Sequence, residues 1–159
     1  MNGVSETSFA PDATTSRAMI VTILYRLENE PAVSGSSFTD VPSGQWYSNA
    51  VAWAAENGIV NGVTATTFAP NSAITREQMA AILYRYAQNE GYKTSQSGKG
   101  TEGYLDASSI SSYAVKAMDW AVNAGLLSGK GNNTLAPTAG ATRAEVAQIF
   151  MNFCEDIAK

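Results

Sequence analysis

Apolar residues recur along this chain at helical spacing, in two kinds of stripe that alternate. The first kind places Trp46, Ala50, Trp53 and Ala54 at i, i+4, i+7 and i+8, and Tyr113, Ala117, Trp120 and Ala121 repeat it. The second runs i, i+3, i+4, i+7 through Ile20, Ile23, Leu24 and Leu27, then Met79, Ile82, Leu83 and Tyr86, then Val146, Ile149, Phe150 and Phe153. Each stripe predicts an amphipathic helix with one face toward a core. Gly58 and Gly125 follow the first kind, where a left-handed C-terminal cap belongs. Ser16, Thr75 and Thr142 open the second kind. Thr75 with Gln78 and Thr142 with Glu145 have capping-box spacing, whereas Met19 cannot close a box on Ser16. An apolar pair (Ile59-Val60, Leu126-Leu127), a turn rich in Gly, Asn and Thr, and Phe68-Ala69-Pro70 or Leu135-Ala136-Pro137 join the two helices.

The pattern is an internal repeat. Met1–Leu27 laid over Val60–Tyr86 without a gap is identical at twelve of 27 positions, including Asn-Gly-Val, Phe-Ala-Pro and Ile-Leu-Tyr-Arg. Chance gives about one in twenty. A second overlay puts Trp53 on Trp120, Gly62 on Gly129 and Thr75-Arg76 on Thr142-Arg143, and Asp40 matches Asp106 after a one-residue insertion. Each unit reads as helix, structured loop, helix. Residues 1–29 are the C-terminal half of a first unit, 38–89 a second and 104–159 a third. Residues 90–103, rich in Gly, Ser and Lys, read as a flexible surface linker. A single unit cannot bury both stripes, so the units are expected to pack into one compact, all-α domain.

Composition narrows the chemistry. The chain of 159 residues carries a net charge of −4 with no basic stripe, which argues against nucleic acid. It has no histidine and one cysteine, so an internal disulfide, a Cys/His zinc site and histidine catalysis are excluded. No metal or cofactor is called for, and no carboxylate pair stands at a visible catalytic spacing. Cys154, next to Phe153, reads as a small buried side chain. No apolar run is long enough to span a membrane, and the N-terminus lacks the pattern of a signal peptide.

The candidate binding residues lie at the helix starts. Arg17, Arg76 and Arg143 follow the capping residue in all three units. Capping does not require a cation there, and the helix dipole mildly disfavours one. A guanidinium beside free helix amides suits a carboxylate or phosphate; equally, each Arg can pair with a neighbouring unit's carboxylate, such as Asp40 or Asp106. Trp46 and Tyr113, at the start of the first helices, can pack or stack on a sugar ring. Gly3, Gly62 and Gly129 either make a positive-φ turn or allow a ligand close to the backbone.

Phe38-Thr39-Asp40-Val41, Trp53-Ala54, Gly58-Ile59-Val60-Asn61-Gly62, Phe68-Ala69-Pro70 and Thr75-Arg76-Glu77 together resemble an S-layer homology repeat, and Thr142-Arg143-Ala144-Glu145 matches that family's four-residue signature. The resemblance implies repeats in a pseudo-threefold arrangement around a central helical bundle, with grooves between neighbours. It implies a non-catalytic module on the bacterial cell surface that anchors its protein to a secondary cell-wall polysaccharide, often one bearing a pyruvate ketal on an N-acetylated sugar. The implied glycan-binding residues are Arg17, Arg76, Arg143, Asp40, Asp106, Gly3, Gly62 and Gly129. The first unit departs from the signature at Ser16 and Met19 and lacks its first helix. That gap motivates the alternative of a structural module that associates with itself or with other surface proteins.

Overall fold

The computed structural model describes residues 13–35, 38–94 and 98–157. Five α-helices form its frame: α1 (Arg17–Leu27), α2 (Ser48–Glu56), α3 (Arg76–Asn89), α4 (Val115–Asn123) and α5 (Arg143–Asp156). Short 3-10 turns at Ala107–Ser109 and Ser112–Ala114 lead into α4. Among the described residues there is no strand, only three isolated bridges, and no helix long and apolar enough to cross a membrane.

The ends of the helices follow their local chemistry. Thr75 and Thr142 close full capping boxes with Gln78 and Glu145, and Ser16 accepts from the Met19 amide alone. Gly58 and Gly125 end α2 and α4 with φ of 70° and 78°. There Ile59 and Leu126 donate back to Ala54 and Ala121, both at 2.8 Å, in the 6→1 bond of a Schellman ending.

Packing goes between units. Trp53 of α2 lies against Tyr25 of α1 at 5.7 Å, and Trp120 of α4 lies against Tyr84 of α3 at 5.5 Å. The first helix of each complete unit thus covers the second helix of the unit before it. Tyr86 stands between Trp53 and Phe153, at 6.3 and 5.9 Å, and carries the aromatic contact from the second unit into the third. The remaining core is aliphatic, with Ile20, Leu24, Ile59, Met79, Leu83, Met118 and Leu135 fully buried.

The three capped helix starts are tied in a closed ring. Thr15 donates to the carbonyl of Ala141 (3.0 Å), Ala141 to that of Ile74 (2.9 Å), and Ile74 to that of Thr15 (2.7 Å). These are equivalent residues in the three units, and each is wholly buried. The bridges Ser16–Ala73, Thr75–Gly140 and Thr14–Thr142 run the same way round.

Some sequence expectations are corrected. Trp46 precedes α2 and is 60% exposed, its ring meeting Tyr47 edge-on; Tyr47 takes the buried place. The reason is phase: the chain enters α2 only at Ser48, so a helical spacing extended back to Trp46 does not apply. Cys154 is exposed, because no described helix covers its side of α5. The segment read as a flexible linker is fastened at its far end, where the Gly100 amide donates to Asn123 and Thr101 donates twice to Asp119, each at 2.8 Å.

Candidate functional site

The signature arginines sit just inside the helix starts and point into the neighbouring unit. They are 5%, 3% and 3% exposed for Arg17, Arg76 and Arg143. Arg17 Nε donates to the Phe68 carbonyl (2.9 Å), Nη2 reaches that of Asn61 (3.4 Å), and the guanidinium lies 4.6 Å over the Phe68 ring. Arg76 repeats this with the equivalent residues, Nε to Leu135 (2.8 Å) and Nη2 to Ser128 (2.6 Å). The recurrence that sequence alone left open between two roles therefore has a structural component. Arg17 and Arg76 each pin the connection of the next unit by two carbonyls.

The helix amides are engaged as well. Arg17 and Ala18 donate to Ser72 and Pro70, Arg76 and Glu77 to Ala139 and Pro137, and Arg143 to Ala13, all at 2.9–3.0 Å. The third amide of each first turn goes to the capping hydroxyl. The expectation of free amides beside the guanidinium is thus corrected. Ring closure brings a neighbouring loop onto each helix start, and its carbonyls take the place an anion would need.

A cleft of about 430 Å³ stays open between units, lined by Arg17, the loop Val60–Val63, Gln78, Ala81, Ile82, Arg85 and Tyr113. Its α3 wall is one helix face, with Gln78, Ala81, Ile82 and Arg85 at i, i+3, i+4 and i+7. The lining holds two cations and no carboxylate. Burial, with Arg85 adding to it, lowers the Arg17 pKa from its usual value. Two buried or half-buried cations facing one cavity favour an anion between them.

Tyr113 forms the wall contributed by the third unit. It is half exposed, and its hydroxyl lies 3.3 Å from Glu77. Glu77 is itself buried and accepts from the Ser111 amide (3.0 Å) and hydroxyl (2.5 Å), fixing the 3-10 turn that presents the ring. Burial, then the charge of Glu77, raises the Tyr113 pKa. The tyrosine is therefore a neutral, polar-tipped ring at the rim of a cationic cleft.

Gly62 is among the residues lining the cleft. A Cβ there would collide with the carbonyl oxygens of Thr64 and Thr67 and with the Phe38 ring. At Gly129 a Cβ would meet Thr134 O at 3.0 Å and the Tyr104 ring at 3.1 Å. Neither has a positive φ, so close approach, not the turn expected from sequence, is what requires glycine. Gly3 lies outside the described residues.

The two aspartates hold the connection. Asp40 accepts the amides of Phe68 and Ala69, and Asp106 those of Leu135 and Ala136, every bond at 2.8 Å. Burial raises the Asp40 pKa, but the two amide bonds outweigh it and hold it below the usual carboxylate value. For Asp106 the Leu135 amide is the largest influence in the same direction. Each aspartate thus fixes the residue whose carbonyl its arginine grips, Phe68 for Arg17 and Leu135 for Arg76. Trp46 is not among the residues lining this cleft.

Sequence reasoning missed Arg85 and Gln78. Arg85 stood in the repeat overlay, where it falls on Arg26, and its i+7 spacing from Gln78 marks a polar edge beside the apolar stripe.

The sequence matches the family model of the S-layer homology domain over residues 37–80 and 103–147. It is 37% identical over 158 residues to an amylopullulanase of Thermoanaerobacterium thermosulfurigenes, which covers 98% of this chain and 8% of that protein. It is 34% identical over 160 residues to a surface-layer 125 kDa protein of Lysinibacillus sphaericus, covering 99% of this chain and 13% of that one. A cellulosome-anchoring protein of Acetivibrio thermocellus is 28% identical over 143 residues, 86% of this chain and 31% of its own length. The chain therefore spans only a small part of the relatives it matches. With the family model covering more than half of its residues in two separate repeats, the chain belongs to the S-layer homology family.

Proposed function

We propose that this chain is a non-catalytic anchoring module that holds a protein at the bacterial cell surface by binding an anionic cell-wall polysaccharide. The observation that carries the reading is the cleft in which Arg17 and Arg85 face one cavity with Tyr113 at its rim and no carboxylate in its lining. A pyruvate ketal on an N-acetylated sugar suits it. The carboxylate pairs with the guanidinium groups, and the sugar face lies on the tyrosine ring. The volume falls in the range of small-ligand sites, roughly 300–1,000 Å³. The ring of bonds through Thr15, Ile74 and Ala141 supports a pseudo-threefold arrangement of the units.

In this reading Asp40 and Asp106 position the connection rather than touch the sugar. Arg76, Arg143, Gly129 and Trp46 belong to the equivalent positions between the other units. The family membership and the surface-layer and cellulosome-anchoring relatives favour attachment at the cell surface. The enzymes among the relatives are matched over a small fraction of their length.

The test is retention of the chain by purified wall polysaccharide before and after removal of its ketal groups. Binding is expected to native polymer and to be lost on depyruvylation and in Arg85→Ala. Equal retention by both polymers would refute the carboxylate mechanism. Turnover of the polymer by pure chain would refute the non-catalytic reading.

One observation favours a second reading, association between copies of the chain. The side of α3 that α4 covers is buried at Glu77, Ala80, Ala81 and Ala87, whereas the equivalent Ala144, Gln148 and Cys154 of α5 are exposed. Met151, in the place of Tyr84, is 50% exposed. Concentration-dependent mass in light scattering, abolished by Met151→Glu, would support this reading; a constant monomer mass would remove it.

A further inference from the structure

The repeat brings one position of each helix start opposite the arginine of the preceding unit, and the three residues there differ in charge. Met19, Gln78 and Glu145 are equivalent, each third inside its helix after the capping residue. Met19 Sδ lies 3.7 Å from Nη1 of Arg143. Gln78 lines the cleft of Arg17, with its Oε1 held by the Thr75 amide at 3.0 Å. Glu145 Oε2 accepts from Nη1 of Arg76, while Oε1 serves the Thr142 amide (3.1 Å) and lies 3.4 Å from Lys130 Nζ. Among the described residues Nη1 of Arg17 makes no hydrogen bond, whereas the same atom of Arg76 is held by a carboxylate.

We infer that this capping-box position determines which inter-unit site accepts an anionic ligand: Gln78 leaves the Arg17 cleft open, and Glu145 fills the Arg76 site with the protein's own carboxylate. The inference rests on the proposed function and deepens it. The physical argument is charge balance. A ligand carboxylate entering at Arg76 must displace Glu145 or sit beside it, and two carboxylates at contact distance repel unless one takes up a proton. Burial raises the Glu145 pKa, but the Thr142 amide, Arg76 and Lys130 outweigh it and hold the group ionised. At Arg17 the same position carries a neutral amide, and a second cation, Arg85, lines the same cleft. The capping box works equally well with Gln or Glu, as the chain itself demonstrates at Thr75 and Thr142. Exchange of the two therefore changes the charge facing each arginine without removing the cap.

The test is calorimetric titration of wild type, Gln78→Glu and Glu145→Gln with the methyl glycoside of a pyruvate-ketal N-acetylamino sugar. Gln78→Glu is expected to weaken binding by about tenfold or more, because it places a carboxylate at the cation that receives the ligand. Glu145→Gln is expected to bind one sugar more than wild type, and Arg76→Ala in that background should remove the added site. Far-ultraviolet circular dichroism and melting temperature confirm that each variant is folded. Wild-type binding with affinity and stoichiometry unchanged in both variants would overturn the inference and leave the proposed function standing. Absence of binding in all three proteins would overturn both.

Discussion

Asp40 places one carboxylate oxygen on the amide of Phe68 and the other on that of Ala69, and Ala69 has φ of 58°. Asp106 does the same for Leu135 and Ala136, whose φ is 50°. A left-handed alanine costs about 1–2 kcal/mol, and two charge-assisted bonds offset that cost. The carbonyl of Phe68 then faces Arg17. Replacing Asp40 with Ala is expected to lower stability by about 2–3 kcal/mol in denaturant unfolding. It should also weaken glycan binding by loosening the Arg17 support. Unchanged stability with lost binding would instead make Asp40 a direct ligand contact. Ala69→Gly, which removes the left-handed penalty and keeps the amide, is expected to raise the melting temperature. The sequence made both aspartates visible as recurring residues. It could not reveal their task, because the amides they hold lie about thirty residues further on, and only folding brings them within reach.

The helices were legible because their signals are local. Thr75 with Gln78, Thr142 with Glu145, and the glycines at 58 and 125 mark caps within a few residues, and each cap forms as read. Trp46 was misplaced because an apolar spacing continues across a helix boundary that the spacing itself does not encode. The exposure of Cys154 depends on which helix covers α5, which is a matter of packing between units. Less visible still is the meeting of two helix ends. Glu28 caps the end of α1 and Glu90 that of α3, and Tyr86 donates to Glu28 at 2.5 Å. Hydrogen bonding to Glu28, with burial added, raises the Glu90 pKa from its ordinary 4.5 to about 7. The folded chain therefore keeps a proton that the unfolded chain releases. This contribution to stability is fully present below pH 4.5 and is lost as pH rises through 7. Denaturant midpoints of wild type are expected to fall across that window relative to Glu90→Gln, which should be flat there. Identical pH profiles would refute the pairing of Glu28 with Glu90.

At the scale of the molecule, the ring through Thr15, Ile74 and Ala141 decides what the helix starts can do. It seats a neighbouring loop on each one, engages the first amides with carbonyls, and turns each arginine across a unit boundary. The site then belongs to no single repeat. Arg17 comes from the first unit, Gly62 and Arg85 from the second, and Tyr113 from the third. The repeat count and the arginines could be read from the chain, but the pairing of Arg17 with Arg85 depends on the register of that ring. Because all three units close it, the amides of Thr15, Ile74 and Ala141 are expected to exchange hydrogen only through global unfolding, at one common free energy. Faster exchange at one of them would mean that its unit opens by itself. A crystal structure of the chain with a pyruvate-ketal amino sugar bound tests the cleft as the glycan site. The ketal carboxylate is expected within hydrogen-bond distance of Arg17 or Arg85 and the sugar ring against Tyr113; a sugar seated away from this cleft, on Trp46 or along α5, would rule out the proposed site.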